Sequence, residues 1–434
     1  MRFIKWLYPG LGVKRWMFLA LGGIVLCMVG TILLVAAIFP LTRAEILLQA
    51  EYWLGPVSRW PWVLLIPFLG LLILALGIYI GFRSLLVALA PISDQSVLDV
   101  LYSRRYLRRG PKIVVIGGGT GLSTLLRGLK NYTSNITAIV SVADDGGSSG
   151  KLRADLGILA PGDIRNCIVA LADKEPLMEA LLQYRFHSGE LSGHSMGNLL
   201  LAALNDLTGE FYQAVQGMNR VLAIRGRVLP VTLQNVTLGA EFSDGNKVQG
   251  ESAIPKYGKK IRRIFLEPAD CYPLPEALEA ILDADAVVLG PGSLYTSVLP
   301  NLVVHGMGDV LARSPAIKIY VCNIMTQKGE TDGYSASKHL EAIVAQVGDV
   351  VDYMLVNTGQ MSKSAKSRYR KEGATMVQAD IRQIEKMGVR VITGNFMQED
   401  NVVRHHAERI AKVLVRLTLA KRKVRMKYSL KNKK

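Results

Sequence analysis

Residues 17 to 39, MFLALGGIVLCMVGTILLVAAIF, run for 23 positions without a charge, and such a segment leaves a chain few choices. As a helix it is about 35 Å long, enough to cross the hydrocarbon core of a bilayer. Residues 61 to 82, PWVLLIPFLGLLILALGIYIGF, repeat the pattern. A cleaved secretory signal has a shorter apolar core and no second span behind it. The reading is an N-terminal segment, 1–82, with transmembrane helices at 17–39 and 61–82.

Orientation follows from the flanks, because Lys and Arg near the ends of spans stay on the cytoplasmic side. Arg2, Lys5, Lys14 and Arg15 precede the first span; Arg83, Arg104, Arg105, Arg108 and Arg109 follow the second. The intervening loop holds only Arg43 and Arg59, balanced by Glu45 and Glu51. Both termini, and whatever follows residue 111, are expected in the cytoplasm of a multi-pass membrane protein. Tyr52, Trp53, Trp60 and Trp62 then belong to the outer interface, and Trp6, Tyr8 and Trp16 to the inner one.

The formal net charge of +17 suggests nucleic acid until it is partitioned. Residues 1–110 carry +7 and residues 421–434, KRKVRMKYSLKNKK, carry +8, which leaves +2 for residues 111–420. The globular part is nearly neutral, so no nucleic-acid partner is expected. The excess lies in a basic juxtamembrane linker (83–111) and a basic tail (416–434). Such runs are attracted to an anionic membrane surface, at about 1 kcal/mol for each basic residue near it; a disordered solubilising tail is the competing reading. Four cysteines, Cys27, Cys167, Cys271 and Cys322, lack C-x-x-C spacing. They indicate neither a disulfide framework nor a zinc site, in keeping with a reducing compartment.

From Lys112 onward, β-branched apolar runs alternate with longer periodic ones, the pattern of strands and crossover helices in an α/β fold. Strands are expected at 112–116, 136–142, 261–266, 286–290, 317–322, 353–357 and 389–393. Helices are expected at 121–130, 163–173, 195–208, 212–223, 275–283, 335–347 and 402–420. Residues 228–256 alternate around Ser243, Asp244, Gly245 and Asn246, which reads as an inserted β-hairpin.

The first strand runs into GGGTGLS, where Gly117, Gly119 and Ser123 stand at the small-residue positions of a dinucleotide-type turn. Gly117, Gly118, Gly119, Thr120 and Gly121 would let backbone approach a phosphate, with free N–H groups at the helix start. No G-K-[ST] follows, so this is not a Walker A loop. The second strand ends in ADDGGSSGKLR, with Asp144 and Asp145 beside a flexible glycine-serine loop; the pair suits a ribose or a divalent cation such as Mg²⁺. In APGDIRN, Gly162 reads as a turn and Asp163 as a helix cap. GPGSLYTS, with Gly290, Gly292 and Ser293, is a second glycine turn at a strand end, and in a doubly wound sheet the two turns converge on one crevice.

GHSMG at 193–197 matches the G-x-S-x-G nucleophile elbow, which requires an apolar strand directly before it. The preceding RFHSGELS is polar and broken by glycine. Ser195 therefore reads as a helix cap rather than a nucleophile, with Asn198 available to a ligand and His194 a structural or ligand-contacting residue.

Taken together, VIGGGTGL, VADDGGSSGKLR, APGDIRN, LSGHSMGNLLL, VVLGPGSLYTSVLPNL and CNIMTQKGETDGYSASKHL resemble, in order, the motifs of the YvcK-type gluconeogenesis factor family. That family is part of the CofD-like superfamily, which also contains 2-phospho-L-lactate transferase. The resemblance covers about residues 112–415. It implies a Rossmann-like three-layer α/β/α domain binding UDP-N-acetylglucosamine or a related nucleotide sugar, with a role in cell shape and cell-wall precursor supply during gluconeogenic growth. It further implies a cell-wall regulatory protein as an unidentified partner, and leaves homo-oligomerisation open. Nucleotide-sugar contacts carried over from the family fall on Tyr369 in SRYRKEGA and Arg404 in NVVRHHAERI. The alternative is a Mg²⁺-dependent phospho-lactyl-type transferase with a nucleotide-linked donor, its cation held by Asp144 and Asp145. The membrane hairpin and the basic tail depart from the usual soluble family member.

Overall fold

The computed structural model describes residues 13–38, 60–89, 106–172, 176–400 and 402–431. It comprises two compact units, Met1–Arg104 and Arg105–Lys434. The loop aromatics Tyr52 and Trp53, the inner residues Trp6 and Tyr8, and most of the juxtamembrane linker lie outside the described residues.

In the first unit, helices α1 (Val13–Ile38) and α2 (Trp60–Leu89) pack against each other through glycine. A Cβ on Gly23 would come 2.5 Å from the Leu74 nitrogen, and one on Gly77 would come 2.7 Å from the Ala20 nitrogen. Gly30 lies in the same way against Pro67, and Gly70 against Cys27. Backbones approach this closely only where no side chain intervenes. The outer surfaces carry exposed Phe18, Leu21, Phe68, Leu72 and Phe82. Arg15–Val35 and Leu65–Ser84 are long and apolar enough to cross a membrane.

The second unit is built on a seven-stranded parallel sheet. Its strands are β1 (Ile113–Gly117), β2 (Ile136–Val140), β3 (Arg227–Pro230), β7 (Ala286–Leu289), β8 (Ile317–Val321), β9 (Tyr353–Asn357) and β10 (Arg390–Gly394), in the order β10-β9-β8-β7-β1-β2-β3. Every residue of β1, β2, β7 and β9 is buried, as expected of a parallel sheet covered on both faces. The direction of winding reverses between β1 and β7. Right-handed crossovers then put the helices of the two halves on opposite faces, and the crevice opens where the strands of the reversal end. On one face α3 (Gly119–Leu129) packs against α5 (Gly162–Leu171) and the C-terminal helix Ala407–Lys431.

Four local expectations change. The strand IRRIFL, observed as β6 (Ile261–Glu267), does not join the main sheet. It pairs antiparallel with β4 (Thr237–Phe242) of the inserted hairpin, whose other strand is β5 (Lys247–Gln249). Residues 228–230, assigned to the hairpin, belong to the edge strand β3 (Arg227–Pro230). The glycine-serine loop after Asp145 is helix α4 (Gly147–Leu156), whose Ser148, Ser149 and Leu152 are buried. The last helix begins at Ala407 rather than 402, because Val403–His405 form β12 and pair with β11 (Met397–Glu399). That helix continues unbroken to Lys431, so much of the basic tail is helical.

Candidate functional site

Ile116 of β1 lies beside Leu289 of β7, so the two glycine turns leave the sheet side by side. Their contact explains the glycines. A Cβ on Gly121 would stand 2.6 Å from the Pro291 carbonyl oxygen, and one on Gly292 would stand 3.2 Å from the Gly118 carbonyl. Gly119 (φ 66°) and Gly290 (φ 75°) also adopt left-handed backbone, which glycine does without strain. Asn301 ties the turns together, its Nδ2 donating to the Gly117 and Ser297 carbonyls at 3.1 and 2.8 Å.

Between the turns opens a crevice of about 410 Å³, in the size range of small-molecule sites. Gly118, Gly119, Thr120, Gly121, Asp144, Gly292, Ser293 and Arg404 line it, together with Asp163, Glu251, Thr296, Ser297, Asn323, Gln327 and His405. Of the residues singled out in the sequence, Gly117, Asp145, Asn198, Gly290 and Tyr369 are not in its wall. Gly117 ends β1, and Gly290 begins the second turn. Asp145 Oδ1 accepts from the Ser252 amide at 2.9 Å. Asn198 is buried, with Nδ2 donating to Ser148 Oγ at 3.1 Å; His194 Nδ1 contacts the same hydroxyl. Ser195 caps the helix Met196–Thr208, its oxygen accepting from the Asn198 amide, so it serves the backbone.

Arg404 projects from β12, and its two neighbours are held fast. The Val403 amide donates to the Tyr369 hydroxyl at 2.8 Å, and His405 Nε2 bonds the Cys322 carbonyl at 3.1 Å, just past β8. Burial lowers the His405 pKa to about 4, so the imidazole is neutral and Nε2 carries the donated proton. Tyr369, on the helix Lys363–Lys371, packs with Ile324, Ala365, Met397 and Val403. It stands behind Arg404 as a support.

Asp163 sits in the first turn of α5 without capping it. It reaches across to accept from the Gly119 amide, and burial, then the nearby Asp144 charge, raises its pKa to about 6. Glu251 is pushed to about 7 by burial and then by Asp144 and Asp145. Glu330, buried behind Thr296, is also raised to about 7, chiefly by desolvation, and its Oε2 has no partner. Sequence reasoning missed Glu251 and Glu330; the first stands in NKVQGESA, read as part of the inserted hairpin, and the second in QKGETDGY, read only as part of a family motif.

These donors bear on Mg²⁺. Asp144 Oδ1 already accepts from the Gly146 amide at 2.9 Å, and among the described residues no three His, Cys, Asp or Glu side chains gather to cage an ion. The set fits a cation shared with ligand phosphates, the usual manner of Mg²⁺, with Asp144 as the protein's oxygen.

The profile of the family 2-phospho-L-lactate transferase CofD matches residues 113–397. The chain belongs to the CofD family. Within the family it is similar to chains named as gluconeogenesis factors. The putative gluconeogenesis factor of Clostridium acetobutylicum is 46% identical over 97% of this chain and 93% of its own. The gluconeogenesis factor of Bacillus subtilis is 50% identical over 71% of this chain and 98% of its own. The first match therefore runs through the N-terminal segment, while the second spans no more residues than the second unit has. A crystal structure of a UPF0052-family protein from Bacillus halodurans is similar with a TM-score of 0.68 at 52% identity, covering 70% of this chain and 98% of that one. The Rossmann-like architecture of this CofD-family chain is thus shared with a solved relative.

Proposed function

We propose that this CofD-family chain binds a nucleotide sugar of the UDP-N-acetylglucosamine type in the crevice. In this reading it regulates cell shape and cell-wall precursor supply under gluconeogenic growth through a cell-wall protein partner. The observation that carries the reading is convergence: two glycine turns with close-approaching backbone and Arg404 line one crevice. A diphosphate takes hydrogen bonds from a helix N-terminus and a bidentate pair from arginine. Mg²⁺, held by Asp144 and the ligand's phosphates, would neutralise charge that the acidic wall otherwise repels. The two apolar helices tether the chain to the membrane, with the domain and both termini cytoplasmic by the distribution of basic residues.

A second reading is favoured by one observation. Carboxyl groups poised near neutrality at a crevice are a mark of proton-transfer sites, and Asp163 and Glu251 are such groups. They suit a transferase of the phospho-lactyl type. One phosphorus NMR experiment separates the two. UDP-N-acetylglucosamine, Mg²⁺ and a phosphorylated three-carbon acid are mixed with the protein. Broadened or shifted diphosphate resonances with no new phosphodiester are expected; release of UMP or UDP at a rate dependent on Asp144 would replace the regulator with the transferase.

A further inference from the structure

Asp145 belongs to the motif that follows β2 but not to the crevice wall, and its contacts show where it acts. Its Oδ1 accepts from the Ser252 amide at 2.9 Å, and a Cβ on Gly250 would come 2.8 Å from its Oδ2. Gly250 directly follows β5 of the inserted sheet and has a φ of 102°, a turn that glycine makes without strain. Glu251, the residue between these two, lines the crevice. The same segment is gripped again a few residues on. A Cβ on Gly329 (φ 81°), in the loop after β8, would stand 1.9 Å from the Pro255 carbonyl oxygen, so the two backbones meet only because no side chain intervenes. Ile254, beside that contact, is fully buried. Residues 250–255 therefore bridge from the end of β2 to the loop beyond β8, the two strands that flank β1 and β7.

The carboxyl delivered in this way is unengaged. Among the described residues it takes no hydrogen bond and faces no cation; its charged neighbours are Asp144, Asp145, Glu330 and Asp163. A half-buried carboxyl in such company costs stability unless something else supplies donors. The two flanks of the crevice differ in what they offer. On the β8 side stand Asn323, Ile324, Met325 and Gln327. Amides that both donate and accept, beside apolar groups, suit the edge and face of a planar base. On the β2 side stand Ser141 and Asp144, with Glu251 held there by Asp145. Ionised carboxylates only accept, so they suit hydroxyls rather than phosphate. With a diphosphate on the glycine turns between the flanks, the base falls to the β8 side and the sugar to the β2 side.

We infer that Glu251 is the residue that selects the sugar, accepting hydrogen bonds from adjacent pyranose hydroxyls, and that Asp145 is its positioning residue. The inference rests on the nucleotide-sugar reading above and adds which end of the ligand lies on which flank. Two hydroxyls on neighbouring ring carbons match the two oxygens of one carboxylate, and hydrogen bonds to a charged acceptor are the stronger kind. Asp145 acts through the backbone: by holding the Ser252 amide it fixes the turn on which Glu251 stands.

The test is calorimetric titration of the full-length chain in detergent with UDP-N-acetylglucosamine and with UDP, both with Mg²⁺. The parent is expected to bind the UDP sugar more tightly than UDP. Glu251→Gln should weaken the UDP sugar about tenfold or more and leave UDP unchanged or tighter, because a negative charge near the diphosphate is gone. Asp145→Ala should cause the same loss of preference. Asp145→Asn keeps an oxygen for the Ser252 amide and should restore it, and Asp145→Ala added to Glu251→Gln should cost no further preference. Equal affinity of the parent for the two ligands, an undiminished preference in Glu251→Gln, or equal weakening of UDP and the UDP sugar would each overturn the role of Glu251. Additive losses in the double variant, or no rescue by Asp145→Asn, would overturn that of Asp145. A parent that binds neither ligand would instead remove the nucleotide-sugar reading itself.

Discussion

The hairpin and the crevice both depend on glycine, for different reasons. In the hairpin, Gly23, Gly30, Gly70 and Gly77 repeat every seven residues on facing helices, and each lets a neighbouring backbone lie within van der Waals contact. In the crevice, Gly118, Gly121 and Gly292 also meet backbone or a carboxylate, but there the turns that approach each other form the wall of an open crevice. Glycine in the first region closes a gap and in the second maintains one. Substitutions should therefore separate assembly of the hairpin from ligand binding.

The largest effects should come from the glycines themselves. Gly121→Val forces the two turns apart against the Pro291 carbonyl, and binding of nucleotide sugar should fall more than about a thousandfold, equivalent to over 4 kcal/mol. Gly77→Val should open the hairpin, read as loss of a cross-link between cysteines placed on the two helices, without altering nucleotide-sugar binding by the full-length chain. Loss of nucleotide-sugar binding by the full-length Gly77→Val chain would show that the distinction is false.

Next in size is a pH effect from Glu330. Its carboxyl is raised from 4.5 to about 7 in the folded protein. Between those values the native state holds a proton that the unfolded chain has released, so stability falls as pH rises through the window. The full loss is on the order of 3 kcal/mol above pH 7. Urea unfolding of the domain at pH 5 and pH 8 should show this decline together with those from Asp163 and Glu251, whose carboxyls are also raised, and Glu330→Gln should lessen it by the Glu330 share. An equal decline in the variant would remove Glu330 as the cause.

Arg404→Ala should weaken nucleotide-sugar binding by about 1.5–3 kcal/mol, the usual contribution of a charge-assisted hydrogen bond, or roughly tenfold to a hundredfold. Smallest is Tyr369→Phe, which keeps the ring and removes only the acceptor of the Val403 amide. It should cost about 1 kcal/mol in binding through misplacement of β12. A ring that touched the ligand with its face would tolerate the change, so full affinity in Tyr369→Phe would restore the direct ligand contact that the family resemblance implies.

The alternation of strands and glycine turns made the doubly wound sheet legible, because β1, β2, β7 and β9 are buried on both faces and so read as unbroken apolar runs. Helix α4 was illegible for the opposite reason. GSSGKLRADL buries only one large apolar residue, Leu152, and its two serines are buried by the neighbouring polar site rather than by a core stripe. Edge strand β3 is four residues ending in Pro230, too short to show a period. At Arg404, VVRHH continued the apolar spacing of the following helix, and only the pairing with Met397–Glu399 makes it a strand. Asp163 looked like a cap because its position after a glycine suits one. Its reach to Gly119 depends on a crossover that local sequence does not encode.

The measurement that bears most directly on the central claim is titration calorimetry of residues 106–434 with UDP-N-acetylglucosamine, NAD and GDP in the presence of Mg²⁺. Saturable binding of the UDP sugar at one site per chain, tighter than NAD or GDP and lost in Gly121→Val, is the predicted result. No heat with the UDP sugar, or equal binding by the parent and a correctly folded Gly121→Val variant, would contradict the placement of a nucleotide sugar between the two glycine turns.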